Sequence, residues 1–121
     1  MKTAGAPLEV HGRPLDRDTD GYLKSLADWN ADVARALAAD EGIVLGDEHF
    51  AVIEVIRAFY REYRISPATR VLVKAVARAL GPDKGNSAWL MQRFASTRYP
   101  TQSPALVVAR IAGLPRPANC T

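Results

Sequence analysis

The chain has a single cysteine, and it is the penultimate residue: GLPRPANCT closes the sequence at residues 113–121. One thiol cannot build a disulfide framework or a cysteine-rich zinc site. It can carry sulfur as a persulfide, or form a mixed disulfide with a cysteine of another protein. Asn119 and Thr121 beside it are small and polar, so on a mobile tail desolvation does not suppress ionisation of Cys120. The terminal carboxylate opposes the thiolate, whereas Arg116 and a basic partner site favour it. On residue types alone, an accidental cysteine on a disordered tail accounts for the sequence equally well.

Other chemistries find little foothold. His11 and His49 are far apart and lack a metal-ligand motif. No paired carboxylates mark one face, no glycine-rich phosphate loop appears, and no Ser/His/Asp order is visible. The segment DKGNS (83–87) precedes a helix start and in principle offers backbone N–H groups to an anion, but it reads equally as a capped turn. The helical stretches 67–80 and 86–95, joined by GPDKG, have a spacing compatible with a helix-turn-helix DNA reader. Many helical bundles place two helices the same way. No residue pattern calls for a cofactor or a metal.

The elements that must position Cys120 are mostly helical. Pro115 and Pro117 fix their own φ and bias the residues before them toward extended backbone. The segment therefore leaves the preceding helix as a semi-stiff arm. At roughly 3 Å per residue, Cys120 sits ~15–20 Å beyond Gly113. Upstream, LEVHGRPL (8–15) reads as a β-hairpin turning at Gly12, with Pro14 restricting its second strand to an edge.

A helix capped by Asp18, Thr19 or Asp20 would carry Tyr22, Leu23, Leu26 and Trp29 on one face. Asn30 caps a second, stopped by Gly42, and Asp47 a third over 46–63. Ser66-Pro67 starts a fourth, ended by Gly81-Pro82. A fifth begins near Asn86-Ser87, and Ser103-Pro104 starts the last, closed by Gly113. The expectation is one mainly α domain over 1–121: a compact bundle of about six helices with a small N-terminal β-hairpin. Residues 1–7 form a loose end and 113–121 a flexible C-terminal arm.

Composition agrees with a globular domain: 121 residues, 48% apolar and 24% charged. No apolar run approaches the ~20 residues of a membrane span. The opening MKTAGAPLEV lacks the apolar core of a secretory signal, so a cytoplasmic location without membrane contact is expected. The net charge of +3 hides an asymmetry: residues 1–60 hold 6 Lys/Arg against 11 Asp/Glu, and residues 61–121 hold 10 against 2. The basic half suits RNA, DNA or an acidic protein, unless the two signs mix on one folded surface.

With these residues in view, the chain resembles the DsrC/TusE family of sulfur carriers. The ending IAGLPRPANC looks like that family's C-terminal arm. DTDGYL, Trp29, ADEGIVL with His49 after it, FYREYRISPATRVLVKA and DKGNS match its pattern in order, from about Val10 to Thr121. The resemblance implies a compact helical domain with a hairpin and a mobile arm, and Cys120 as the reactive residue. DsrC proteins of sulfur-metabolising organisms carry a second cysteine eleven residues ahead of the last, where this chain has Ala109. An internal disulfide is therefore ruled out, and the likeness leans toward TusE and away from a partner subunit of dissimilatory sulfite reductase.

By resemblance the protein is a sulfurtransferase. Cys120 would accept sulfur from a TusBCD-like donor complex and pass it to an MnmA-like thiouridylase, with or without bound tRNA, for 2-thiolation of the wobble uridine. Pro115, Arg116 and Pro117 would shape and steer the arm, and Arg110 near its base would meet a partner. A monomer is expected. A helix-turn-helix regulator is the reading of a different class.

Overall fold

A computed structural model of the chain describes residues 7–118. Residues 1–6 of the loose end expected over 1–7, and Cys120, lie outside the described residues. The hairpin forms as expected. β1 (Leu8–Val10) and β2 (Arg13–Leu15) pair antiparallel, with Leu8 opposite Leu15 and Val10 opposite Arg13. His11 and Gly12 occupy the turn with φ of 53° and 77°. Positive φ at both central residues is what a two-residue hairpin turn needs to match strand twist.

Five α-helices follow among the described residues: α1 (Ala31–Ala39), α2 (Asp47–Tyr63), α3 (Thr69–Leu80), α4 (Ser87–Arg93) and α5 (Pro104–Ile111). Asn30 and Asn86 act as N-caps, accepting from the N–H of Val33 and of Trp89 at 2.9 and 2.8 Å. α5 is the centre of the molecule. Every one of its residues is buried, and α1, α2, α3 and α4 all pack on it. Each fully buried aliphatic side chain there contributes roughly 1.5–3 kcal/mol relative to exposure.

Three expectations about helix starts need correction. The helix expected after Asp18 does not form; only a single 3-10 turn, Leu26–Asp28, appears. The Asp18 carboxylate instead accepts from the N–H of Asp20 and of Tyr22, both at 2.9 Å, and folds the chain into a turn. This is the side-chain competition that makes Asp a poor helix residue. α2 is capped by Gly46 rather than Asp47, with the Gly46 N–H donating to His49 Nδ1 at 3.0 Å. α3 begins at Thr69 with Ala68 at its N-cap, two residues later than Ser66-Pro67 suggested, because Ser66 is committed to the tail.

Candidate functional site

The root of the C-terminal tail is built where α5 ends. The Leu114 N–H donates to the Ala109 carbonyl at 2.9 Å, and the Gly113 N–H to that of Arg110 at 3.2 Å. With Gly113 at φ 72°, these two bonds complete a Schellman stop, and Leu114 is buried as that motif's apolar partner. Glycine is required twice over. Its φ is left-handed, and an added Cβ would lie 2.3 Å from Trp29 Cδ1.

Two long side chains clasp this end. Trp29 donates its indole Nε1–H to the Ile111 carbonyl at 2.9 Å. Arg57 Nη1 donates to the Ala112 carbonyl at 2.7 Å, and its guanidinium lies 3.9 Å from the Trp29 ring centroid. The last carbonyls of a helix lack intrahelical partners and carry partial negative charge, so a cation and an indole N–H satisfy them well. Burial holds the Arg57 guanidinium below its ordinary pKa, with the nearby Arg61 charge adding to this and Glu54 opposing it.

One residue further, Ser66 Oγ donates to the Pro115 carbonyl at 2.6 Å. Pro117 is buried, while Pro115 and Arg116 are exposed. Arg116 Nη1 reaches Asp20 Oδ2 at 3.4 Å across solvent, a contact of the kind worth at most ~1 kcal/mol. The arm expected to leave the domain at Gly113 is thus packed through Leu114 and tethered at Pro115.

Arg110 is not a surface contact for a partner. It is 1% exposed and makes a bidentate pair with buried Glu41, Nε to Oε2 at 2.6 Å and Nη2 to Oε1 at 2.9 Å. Nη2 also donates to Gln102 Oε1. Nη1 has no hydrogen-bond partner, and the guanidinium instead lies 4.1 and 5.2 Å from the ring centroids of Tyr99 and Tyr22. Burial works to lower the Arg110 pKa, but Glu41 outweighs it and the net shift is upward. The pair pins α5 to the end of α1, directly beneath the tail root.

The histidines do not converge. His11 pairs with Asp32 on the exposed surface at 3.0 Å. His49 accepts from the Gly46 N–H at Nδ1 and meets the Arg93 carbonyl at 2.9 Å through Nε2, so the tautomer with hydrogen on Nε2 satisfies both bonds. Among the described residues no group of three or more His, Cys, Asp or Glu could hold a metal, and no helix is long and apolar enough to cross a membrane.

The helix-turn-helix pair is present in outline as α3 and α4, yet α4 has only seven residues. Its one cation, Arg93, is engaged by Glu48, Gln92 and the Trp89 ring. Arg57 and Ser66 were missed by sequence reasoning. No local pattern singles out Arg57, Ser66 reads as a cap, and their partners lie 55 and 49 residues away.

Comparisons with known proteins agree with this architecture. The family model described as "DsrC like protein" matches residues 9–121. A protein named sulfurtransferase TusE from Yersinia pestis is 45% identical over 113 residues, covering 93% of this chain and 98% of that one. A sulfurtransferase TusE homolog from Haemophilus influenzae is 47% identical with the same coverage. The NMR structure of Allochromatium vinosum DsrC superposes with a TM-score of 0.81 at 42% identity, covering 98% of this chain and 99% of that one. The oxidized gamma-subunit of the dissimilatory sulfite reductase (DsrC) from Archaeoglobus fulgidus gives 0.78 at 35%, covering 95% and 99%. With its helical core, its N-terminal hairpin and a tail rooted in a Schellman stop, the chain belongs to the DsrC-like family.

Proposed function

We propose that this protein is a sulfurtransferase acting as a sulfur-relay carrier, with Cys120 as its only covalent residue. One observation carries the reading: the relatives named sulfurtransferase TusE match over nearly the full chain, in which Cys120 is the only thiol.

The chemistry needs no cofactor. The Cys120 thiolate attacks the outer sulfur of a donor persulfide, that S–S bond breaks, and its electron pair leaves on the donor thiolate. Cys120 is then a persulfide. An acceptor cysteine thiolate attacks the outer sulfur in turn, and the Cys120 thiolate departs. Sulfur is transferred with no net oxidation or reduction.

The donor in this reading is a TusBCD-like complex and the acceptor an MnmA-like tRNA thiouridylase, with 2-thiolation of the wobble uridine as the outcome. The carrier works as a cytoplasmic monomer. The likeness to a sulfite reductase gamma-subunit raises a second role, but Ala109 is fully buried in α5 and offers no sulfur, so the chain cannot discharge a persulfide by closing its own disulfide.

The test is intact mass after incubation with a cysteine desulfurase, cysteine and the relay donor, without reductant. A reducible gain of about 32 Da, one sulfur atom on the thiol ladder, is expected in the natural chain and absent in Cys120→Ser. Equal gain in both would overturn the assignment.

A further inference from the structure

The cations of this protein divide into two populations. Among the described residues, every Arg or Lys outside 57–78 except Lys24 lies within 4.0 Å of a carboxylate: Arg13, Arg17, Arg35, Lys84, Arg93, Arg98, Arg110 and Arg116. None of the six cations between 57 and 78 has such a partner. Against Arg57, Arg61, Arg64, Arg70, Lys74 and Arg78 that stretch sets a single anion, Glu62. Of these, Lys74 and Arg78 line one groove between α2 and α3 and Arg64 a cavity next to it, while Arg57 turns to Trp29 and the Ala112 carbonyl.

The groove between α2 and α3, of about 390 Å³, is floored by Val55, Ala58, Phe59, Val71, Ala75 and Ala79, with Lys74, Arg78 and Glu62 at its edges. Val71 is 42% exposed and Tyr63 55%. A second cavity of about 400 Å³ shares Phe59 and Val71 with it and is walled by Ser66, Pro115, Arg116 and Ala118. The two form one continuous trough that ends at the tail root. Cys120 lies two residues past Ala118, a covalent reach of about 7 Å.

We infer that this trough is the docking site for an acidic amphipathic helix of a protein partner. The inference rests on the relay reading for its purpose and on the surface for its chemistry. A helix-in-groove contact uses an apolar trench for anchor side chains and a charged rim for register and encounter rate. Small residues at 58, 75 and 79 let a helix approach closely, and the rim cations match carboxylates on its flanks. RNA fits less well: the floor is mostly aliphatic, its Phe59 ring is already packed at a tilt against Tyr63 at 4.6 Å between centroids, and Glu62 would face phosphates. A second copy would set like charge against like.

The test is an amide NMR titration of the full chain with a designed helical peptide, leucine on one face and glutamate on its flanks. Controls are the same peptide with lysine for glutamate, and unfractionated tRNA. The glutamate peptide should shift resonances of α2, α3 and residues 114–118. Lys74→Glu with Arg78→Glu, or Val71→Glu alone, should weaken binding at least about tenfold, whereas Cys120→Ser should leave it unchanged. No binding, equal binding of both peptides, or shifts elsewhere would overturn the proposal. So would tRNA occupying the same residues more tightly. Concentration-dependent shifts there in the free protein would assign the trough to a second copy. Tighter peptide binding after removal of residues 119–121 would assign it to the chain's own end, and either result overturns it. Loss of sulfur loading with trough binding intact would sink the relay reading alone. The reverse result would sink the docking site alone.

Discussion

The indole of Trp29 lies against Gly113 so closely that no β-carbon fits between them: one placed there would sit 2.3 Å from Cδ1 and 2.6 Å from Cγ. The tail root is therefore shaped by a residue 84 positions upstream, and substitutions at either position act on the tail through the other.

Gly113→Ala should be strongly destabilising. Alanine at left-handed φ costs on the order of 1 kcal/mol, and the collision with Trp29 adds to it, for a total of about 2–4 kcal/mol. Urea denaturation followed by tryptophan fluorescence checks this. A loss below about 1 kcal/mol would mean that the indole moves aside freely.

Arg57→Met keeps most of the side-chain volume but removes the bond to the Ala112 carbonyl and the stacking on Trp29. A charge-assisted bond and a cation–π contact of this kind together contribute about 2 kcal/mol. Amide exchange of Gly113 and Leu114 should accelerate more than that of the α1 interior. Uniform acceleration across the chain would reduce Arg57 to a general stabiliser.

These two positions show what could be read from sequence. Chain-local signals were legible: the Gly12 turn, the Asn30 and Asn86 caps, the Pro104 start and the Gly113 stop each depend on neighbours within a few residues. The segment 18–29 misled because Tyr22, Leu23, Leu26 and Trp29 do recur at helical spacing. They are apolar for separate reasons. Tyr22 donates its hydroxyl to the Leu106 carbonyl near the start of α5, while Trp29 donates to Ile111 at its end. Periodicity cannot distinguish one buried face from two anchors on a distant helix. The burial of Arg110 was equally hidden, since its partner Glu41 lies 69 residues away.

Removing one member of that pair should cost far more than removing both. Glu41→Gln or Arg110→Met alone leaves an uncompensated buried group and should cost about 3–5 kcal/mol. The double variant should cost less than the sum of the two. A double-mutant cycle by urea denaturation measures the difference. Strict additivity would show that the charges are solvated in the native protein.

Alkaline pH should expose Tyr22. Burial pushes its phenol up to about 12, partly offset by Arg110 and Arg116. The folded state therefore holds its proton more tightly than the unfolded chain. The resulting stability is complete below pH ~10 and is lost as pH rises through 12. Tyr22→Phe forfeits the 3.1 Å bond to Leu106 and should be less stable at neutral pH by about 1 kcal/mol. Its deficit should shrink above pH 10, read by thermal melts across that range. A constant deficit would contradict the assignment.

Because α5 is buried on every side and Leu114 with it, the helix can neither slide nor turn without opening the core. Ser66 carries that restraint one residue further. Any displacement of the chain's end relative to the domain must pivot beyond Pro115. The fulcrum is rigid, so if sulfur is carried on Cys120 as proposed, the number of residues past the pivot would set the distance over which it is handed across. Lengthening or shortening the chain between Pro117 and Cys120 would alter that throw directly, with the core left as it is.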